Sequence, residues 1–187
     1  MSGAGQWKDA GLARRFRGSE EVKVDAKGRV SIPAKFRRVF ESADPDFDSA
    51  RNRAQLVVVY GFADWTHLRL YTMQAIDEID AAISLMPRGS NERSYLETLM
   101  NGLSEEAEID GDGRLVLPQR LREKIGLDDR AFFMAQGDYL KVSTPETHET
   151  DLAVIAAGMP ALEPGADPLS LLPVLPPAAL TGPAAAG

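Results

Sequence analysis

Hydrophobic and polar positions follow two rhythms along this chain, and the same succession of rhythms occurs twice. Glu21-Val-Lys-Val-Asp25 alternates polar and apolar, the period of a strand. Ala26-Lys27-Gly28 then predicts a turn in which Gly28 takes positive φ without steric cost. Arg29 to Ile32 alternates again as a second short strand, and Pro33 opens a helix, its fixed φ and missing N–H being tolerated in a first turn. Phe36 and Phe40, four apart, turn one apolar stripe inward while Lys35 and Arg38 point elsewhere. The β-branched run Gln55–Tyr60 reads as a buried strand, with His67–Tyr71 as its partner. Further on, Glu106–Leu117 predicts two strands around Gly111-Asp-Gly113, and Pro118–Lys124 a helix stopped at Gly126. Ala131–Ala135 and Tyr139–Val142 close the succession around the turn Gln136-Gly-Asp138.

The two runs are in register. Asp25-Ala-Lys-Gly-Arg29-Val-Ser-Ile-Pro33-Ala-Lys-Phe-Arg37 recurs 85 residues later as Asp110-Gly-Asp-Gly-Arg114-Leu-Val-Leu-Pro118-Gln-Arg-Leu-Arg122, without insertion. Polar, glycine and apolar positions are all kept, and Lys35 is matched by Arg120 and Glu21 by Glu106. This is a duplicated structural unit. Each half is strand, turn, strand, short helix, strand, strand. Neither half is large enough to close a core alone, so the economical arrangement is a pseudo-dimer of the two. Between them, Thr72–Met86 carries a helical stripe (Met73, Ile76, Ile79, Ile83, Met86) ended by Pro87, and Asn91–Leu103 a second one. Those stripes suit either subunit contacts or packing on the chain's own barrel. The segment from Thr144 or Pro145 to Ala157 fits one more short helix. Gly158–Gly187, with seven prolines and many alanines, is expected to be disordered, and Met1–Arg15 to be a mobile arm.

Composition narrows the classes. The chain has 187 residues, 44% apolar and 26% charged, in the ordinary globular range. It has no cysteine, which removes disulfides, thiolate nucleophiles and zinc–thiolate sites and fits a reducing cytoplasm. Its first residues lack the apolar core of a signal peptide, and no apolar run is long enough to span a membrane. The net charge of −7 argues against nucleic acid until its distribution is read. Arg14–Glu41 holds nine basic residues against four acidic, a local +5, whereas Pro145–Gly187 holds five acids and no Lys or Arg. A basic face on an acidic body still docks to phosphate.

The candidate chemistry lies in Asp-x-x-Gly-Arg. The turn projects an arginine from its exit, and the aspartate fixes the guanidinium by a charge-assisted hydrogen bond. A held planar donor fork suits a phosphate or the O6/N7 edge of guanine. One such turn is as readily an internal staple without ligand; two, each followed by a basic helix, favour a paired anion-binding surface. Catalysis finds little support. His67 and His148 stand in unrelated contexts, and Gly111-Asp-Gly113 lacks the third glycine and the lysine of a phosphate loop. A calcium loop beginning at Asp110 would need glutamate where Leu121 stands. No cofactor or metal is expected.

The unit resembles the AbrB-type DNA-binding fold, and its tandem arrangement resembles the MraZ family. The residues that carry the likeness are Phe16-Arg-Gly18, Asp25–Pro33 with Phe36-Arg37, Asp110–Pro118 with Leu121-Arg122, and the Gln136-Gly-Asp turn. The resemblance implies a mainly β fold with flanking α-helices, in which two AbrB-like halves form a swapped-hairpin, double-split β-barrel pseudo-dimer. The corresponding division is an N-terminal arm (1–15), a first half (16–72), a helical connector (73–104), a second half (105–144) and a C-terminal helix remnant with a Pro/Ala-rich tail (145–187). It implies a cytoplasmic, nucleoid-associated transcriptional regulator, a repressor of the bacterial division and cell-wall gene cluster. Such a protein binds short direct repeats of double-stranded DNA upstream of its own gene as a ring-like homo-oligomer. By this resemblance the DNA contacts fall on Lys27, Arg29 and Arg114, and secondarily on Arg37, Arg38 and Arg122. Asp112 stands where the first turn has Lys27, which predicts a poorer phosphate contact in the second turn. The alternative is an antitoxin-like protein-interaction module on the same barrel.

Overall fold

The computed structural model describes residues 15–51, 53–160, 162 and 165–172. Most of the N-terminal arm and of the Pro/Ala-rich tail lies outside the described residues. The chain divides into a large unit, Met1–Asp151, and a small one, Leu152–Gly187. In the small unit the described residues include the end of a helix and a 3-10 turn, Pro168–Leu171.

The large unit is built on one antiparallel sheet of eight strands: β1 (Ser19–Lys23), β2 (Arg29–Ser31), β3 (Ala54–Val59), β4 (Leu68–Thr72), β5 (Ser104–Ile109), β6 (Arg114–Val116), β7 (Arg130–Ala135) and β8 (Tyr139–Ser143). Their order is β1-β7-β8-β4-β3-β5-β6-β2. The two end strands meet through a Val24–Val30 bridge, so the sheet curls into a nearly closed barrel. That bridge is the counterpart of the Ile109–Leu115 pair between β5 and β6. Every pairing obeys the same two-fold relation. β1 lies on β7 as β5 lies on β3, while β2 lies on β6 and β4 on β8, each on its own repeat equivalent. The fold is therefore a swapped-hairpin pseudo-dimer inside one chain.

Alternation explains the core. Leu56, Val58, Leu68, Leu70, Leu115, Phe133, Leu140 and Val142 point into the barrel and are fully buried. Helices α1 (Ala34–Ser42) and α4 (Gln119–Lys124) close it with Phe36, Phe40 and Leu121. Phe16 sits at one mouth, buried, its ring 4.9 Å from that of Phe40 and its amide bonded to the Gly137 carbonyl. Pro33 and Pro118 stand one residue ahead of their helices, with nearly identical dihedrals.

Helices α2 (Met73–Ser84) and α3 (Asn91–Glu97) cover the outer face of β3 and β4. Ile76, Ile83, Leu99 and Met100 form a second apolar cluster with Val57, Val59 and Tyr71. These buried stripe residues therefore pack on the chain's own barrel. Asn91–Leu103 is not one continuous α-helix: after Glu97 it widens into a π-type turn, Thr98–Gly102, closed by Leu103 N–H donating to the Thr98 carbonyl at 2.8 Å. The wide turn carries the buried Leu99 and Met100 and delivers the chain into β5. A last helix, α5, runs from Pro145 to Ala157.

Candidate nucleic-acid interface

The two Asp-x-x-Gly-Arg turns lie side by side because β2 pairs with β6. In register, Arg29 faces Val116, Val30 faces Leu115 and Ser31 faces Arg114. Val30 and Leu115 point inward and are buried, so Arg29, Ser31, Arg114 and Val116 share the outward face of a two-stranded ribbon. Arg29 and Arg114 are diagonal neighbours on that face, about 7–8 Å apart at the backbone. The turns also interlock: Ile32 N–H donates to the Gly113 carbonyl at 2.9 Å, and Leu117 N–H to the Gly28 carbonyl at 2.8 Å. Each half thus completes the backbone hydrogen bonding of the other half's turn.

Within the first turn Asp25 is the organiser. Its Oδ1 accepts from the amides of Lys27 and Arg29, both at 2.9 Å, and its Oδ2 from Arg29 Nε at 2.6 Å. The Arg29 amide, above all, holds the Asp25 carboxyl below its usual range, against a smaller opposing effect of burial. Asp25 uses the Nε edge of Arg29, and the two terminal nitrogens make no hydrogen bond among the described residues. Lys27 stands exposed at the tip. The first turn therefore offers a guanidinium fork held at one edge, with an ammonium beside it.

The second turn repeats the scaffold and changes the charge. Asp110 Oδ1 accepts from the amides of Asp112 and Arg114 at 3.0 and 2.9 Å, and Oδ2 from Arg114 Nε at 3.2 Å. Burial acts to raise the Asp110 pKa, but the Arg114 amide and guanidinium outweigh it and the net shift is downward. A terminal nitrogen of Arg114 also donates to Asp112, the residue in Lys27's place. The Arg114 pKa is raised, first by the Asp110 hydrogen bond. Arg114 is thus already held by two carboxylates.

The helix arginines are placed differently. Arg37, on α1, lies against Gly113 of the opposite half: a Cβ there would collide with its guanidinium. Its Nε is buried and has no hydrogen-bond partner among the described residues. Arg122, on α4, lies against Gly28, and its Nε donates to the Leu117 carbonyl at 3.1 Å. Each of these arginines underlies the turn of the other half, which only the swapped pairing brings within reach. Arg38 is exposed on α1.

Ion pairs tie up part of the basic charge: Lys35–Glu20 is already counted within the +5 of Arg14–Glu41, and Arg15–Asp138 draws its acid from outside that segment. Lys35 pairs with Glu20 at 2.9 Å, and its counterpart Arg120 with Glu105. Both acids sit 85 residues apart like their partners, so the repeat itself held the signal for this pair. Arg15 pairs with Asp138. His67 stacks on Trp65 at 4.7 Å and His148 on Phe132 at 3.8 Å, so both histidines are packed against aromatic rings. Among the described residues, no group of three or more His, Asp or Glu is placed to hold a metal ion. No helix there is long and apolar enough to cross a membrane.

The family model described as "MraZ protein, putative antitoxin-like" matches residues 15–84 and 100–157. The chain belongs to the MraZ family. Among relatives named Transcriptional regulator MraZ, that of Ruegeria pomeroyi is 48% identical over 162 residues, 86% of this chain and 96% of the relative. That of Cereibacter sphaeroides is 42% identical over 168 residues, 86% and 97% of the two chains. That of Pseudomonas putida is 32% identical over 154 residues, 82% and 94%. The two matched stretches of the MraZ model each contain one Asp-x-x-Gly-Arg turn and its helix.

Proposed function

We propose that this MraZ-family chain is a DNA-binding transcriptional regulator, not an enzyme, that docks the β2–β6 ribbon on double-stranded DNA. The observation that carries the reading is the Arg29 fork, held by Asp25 on an outward ribbon face beside Arg114, with Lys27 exposed at the tip. A two-stranded ribbon fits the major groove, where an arginine fork meets guanine O6/N7 and an ammonium meets phosphate. The name of the relatives, Transcriptional regulator MraZ, supports the same reading.

Lys27, Arg29 and Arg114 are assigned DNA contact, with Arg29 foremost. Arg38 contributes phosphate attraction, and Arg37 and Arg122 add charge beneath the turns they support. Two or three neutralised phosphates per protomer give a log–log salt slope of about −2 to −3, which is weak binding at cellular salt. A ring-like homo-oligomer on spaced direct repeats overcomes this through effective concentration, by about 10²-fold per linkage. In this role the chain is a cytoplasmic, nucleoid-associated repressor of the division and cell-wall gene cluster acting upstream of its own gene.

The test is a gel-shift titration with that upstream DNA at two salt concentrations. Arg29→Ala is expected to bind at least tenfold more weakly, and Lys27→Ala to lower the salt slope by about 1. Equal binding by Arg29→Ala and wild type would reduce the turn to a staple and overturn the assignment. The family is also described as antitoxin-like. Deleting Pro145–Gly187 separates the two readings: DNA binding is retained if the ribbon is the working surface, whereas a partner-wrapping tail would be lost.

A further inference from the structure

The ribbon face carries one residue that phosphate attraction does not use. Val116 is 52% exposed, faces Arg29 in register, and lies two residues from Arg114 on the same strand and face. Single exposed apolar side chains are ordinary on protein surfaces, so exposure alone says nothing. Position is what distinguishes this one. It stands among the arginines of the surface assigned to DNA, with its Cβ about 4.5–5.5 Å from that of Arg29. The apolar feature that a major groove presents is the thymine 5-methyl group. Valine, stiff at χ1, offers a fixed isopropyl surface of matching size.

The duplication sharpens the point. Val116 occupies the repeat position of Ser31, which is also exposed on the ribbon face. The pseudo-two-fold passing between Val30 and Leu115 therefore superposes arginine on arginine but hydroxyl on isopropyl. The same relation superposes Lys27 on Asp112. Both breaks of symmetry distinguish the same two ends of the ribbon.

We propose that Val116 is a specificity-determining residue that packs against a thymine 5-methyl group, while Ser31 makes no such contact. Each protomer then lies on its repeat in one orientation. A symmetric ribbon would read an inverted site equally well from either side. This one fits a site with direction, and successive protomers would all face the same way along direct repeats. The inference rests on the DNA-binding reading above.

The experiment is a methyl scan on the full-length protein. Duplexes of the upstream DNA have each thymine replaced in turn by deoxyuridine, which deletes only the 5-methyl group, and affinity is read by fluorescence anisotropy. Wild type is expected to lose about 3- to 10-fold at one thymine per repeat, the size of a single apolar base contact. Val116→Ser should bind the unmodified and the substituted duplex alike, with an unchanged thermal midpoint because the side chain is exposed. Ser31→Val should acquire a second methyl-sensitive position. Wild type indifferent to every replacement, or Val116→Ser keeping the wild-type pattern, overturns the proposal. In either case, loss of binding by Arg29→Ala would leave the DNA reading standing. If wild type does not bind the unmodified DNA, both fall together.

Discussion

Gly28 and Gly113 occupy the same place in the two turns, both at φ +78°, yet a methyl group added to each meets different atoms. At Gly28 the new Cβ would stand 2.5 Å from the Leu117 carbonyl oxygen, a backbone atom fixed in the ribbon. At Gly113 the nearest atom is Arg37 Nη1, at the end of a flexible side chain. A left-handed residue with a Cβ costs about 1–2 kcal/mol in either place. Gly113→Ala should therefore destabilise by roughly that amount, while Gly28→Ala should cost more, because the carbonyl cannot step aside. Urea denaturation checks the order, and Gly28→Ala as stable as wild type would contradict it. Adding Arg37→Ala to Gly113→Ala should cost less than the two single changes together, since the displaced side chain is then gone.

His67 supplies a second residue-scale test. Burial first, then Lys141 and Arg69, push its pKa from 6.5 down to about 4. The unfolded chain therefore binds a proton more readily between those values, so this histidine's contribution is complete above pH 6.5 and is lost as pH falls towards 4. Screening around a part-exposed ring limits the effect to about 1–2 kcal/mol. Denaturation midpoints measured from pH 7 to pH 4 should fall for wild type and flatten for His67→Gln.

At the scale of elements, local signals set most of what was legible in the chain. Period-two alternation marked the strands, Pro33 and Pro118 marked the helix starts, and Gly126 its stop, observed at φ +65°. What the chain did not show locally were contacts made by the swap. Glu21 of β1 lies opposite Phe132 of β7, and no turn connects them. Arg37 reaches Gly113 only because β2 pairs with β6, so a helical wheel could report that it was off the apolar stripe but not what it touched. The π-type turn at Thr98–Gly102 also escaped, since one extra residue in a turn leaves an amphipathic stripe nearly unchanged. One helix start has a measurable cap. Thr72, buried, accepts from the Ala75 amide at 3.2 Å at the head of α2. Thr72→Ala should cost about 1 kcal/mol and lower the thermal midpoint, with the barrel otherwise intact by circular dichroism.

For the whole molecule, the question is whether either half has a fold of its own. Of the strand ladders in the first half, the β3–β4 hairpin alone is internal among the described residues. β1, β2, β3 and β4 each draw a second partner from the other half, β7, β6, β5 and β8. Residues 15–72 in isolation keep that hairpin and the Val24–Val30 and Asp48–Arg53 bridges, a set that is marginal in water. Two copies of the fragment, however, satisfy the same two-fold relation that the duplicated halves satisfy within one chain. The fragment should therefore be unfolded when dilute and a folded homodimer when concentrated, never a folded monomer. Light scattering and circular dichroism over a concentration series decide this, and a folded monomer would contradict the interlocked barrel. Such a dimer would carry Lys27 at both turn tips and Ser31 on both ribbon strands, so neither Asp112 nor Val116 would be present to distinguish its ends. It should then bind DNA with a salt slope steeper by about 1 than one full-length protomer, and with no orientation preference.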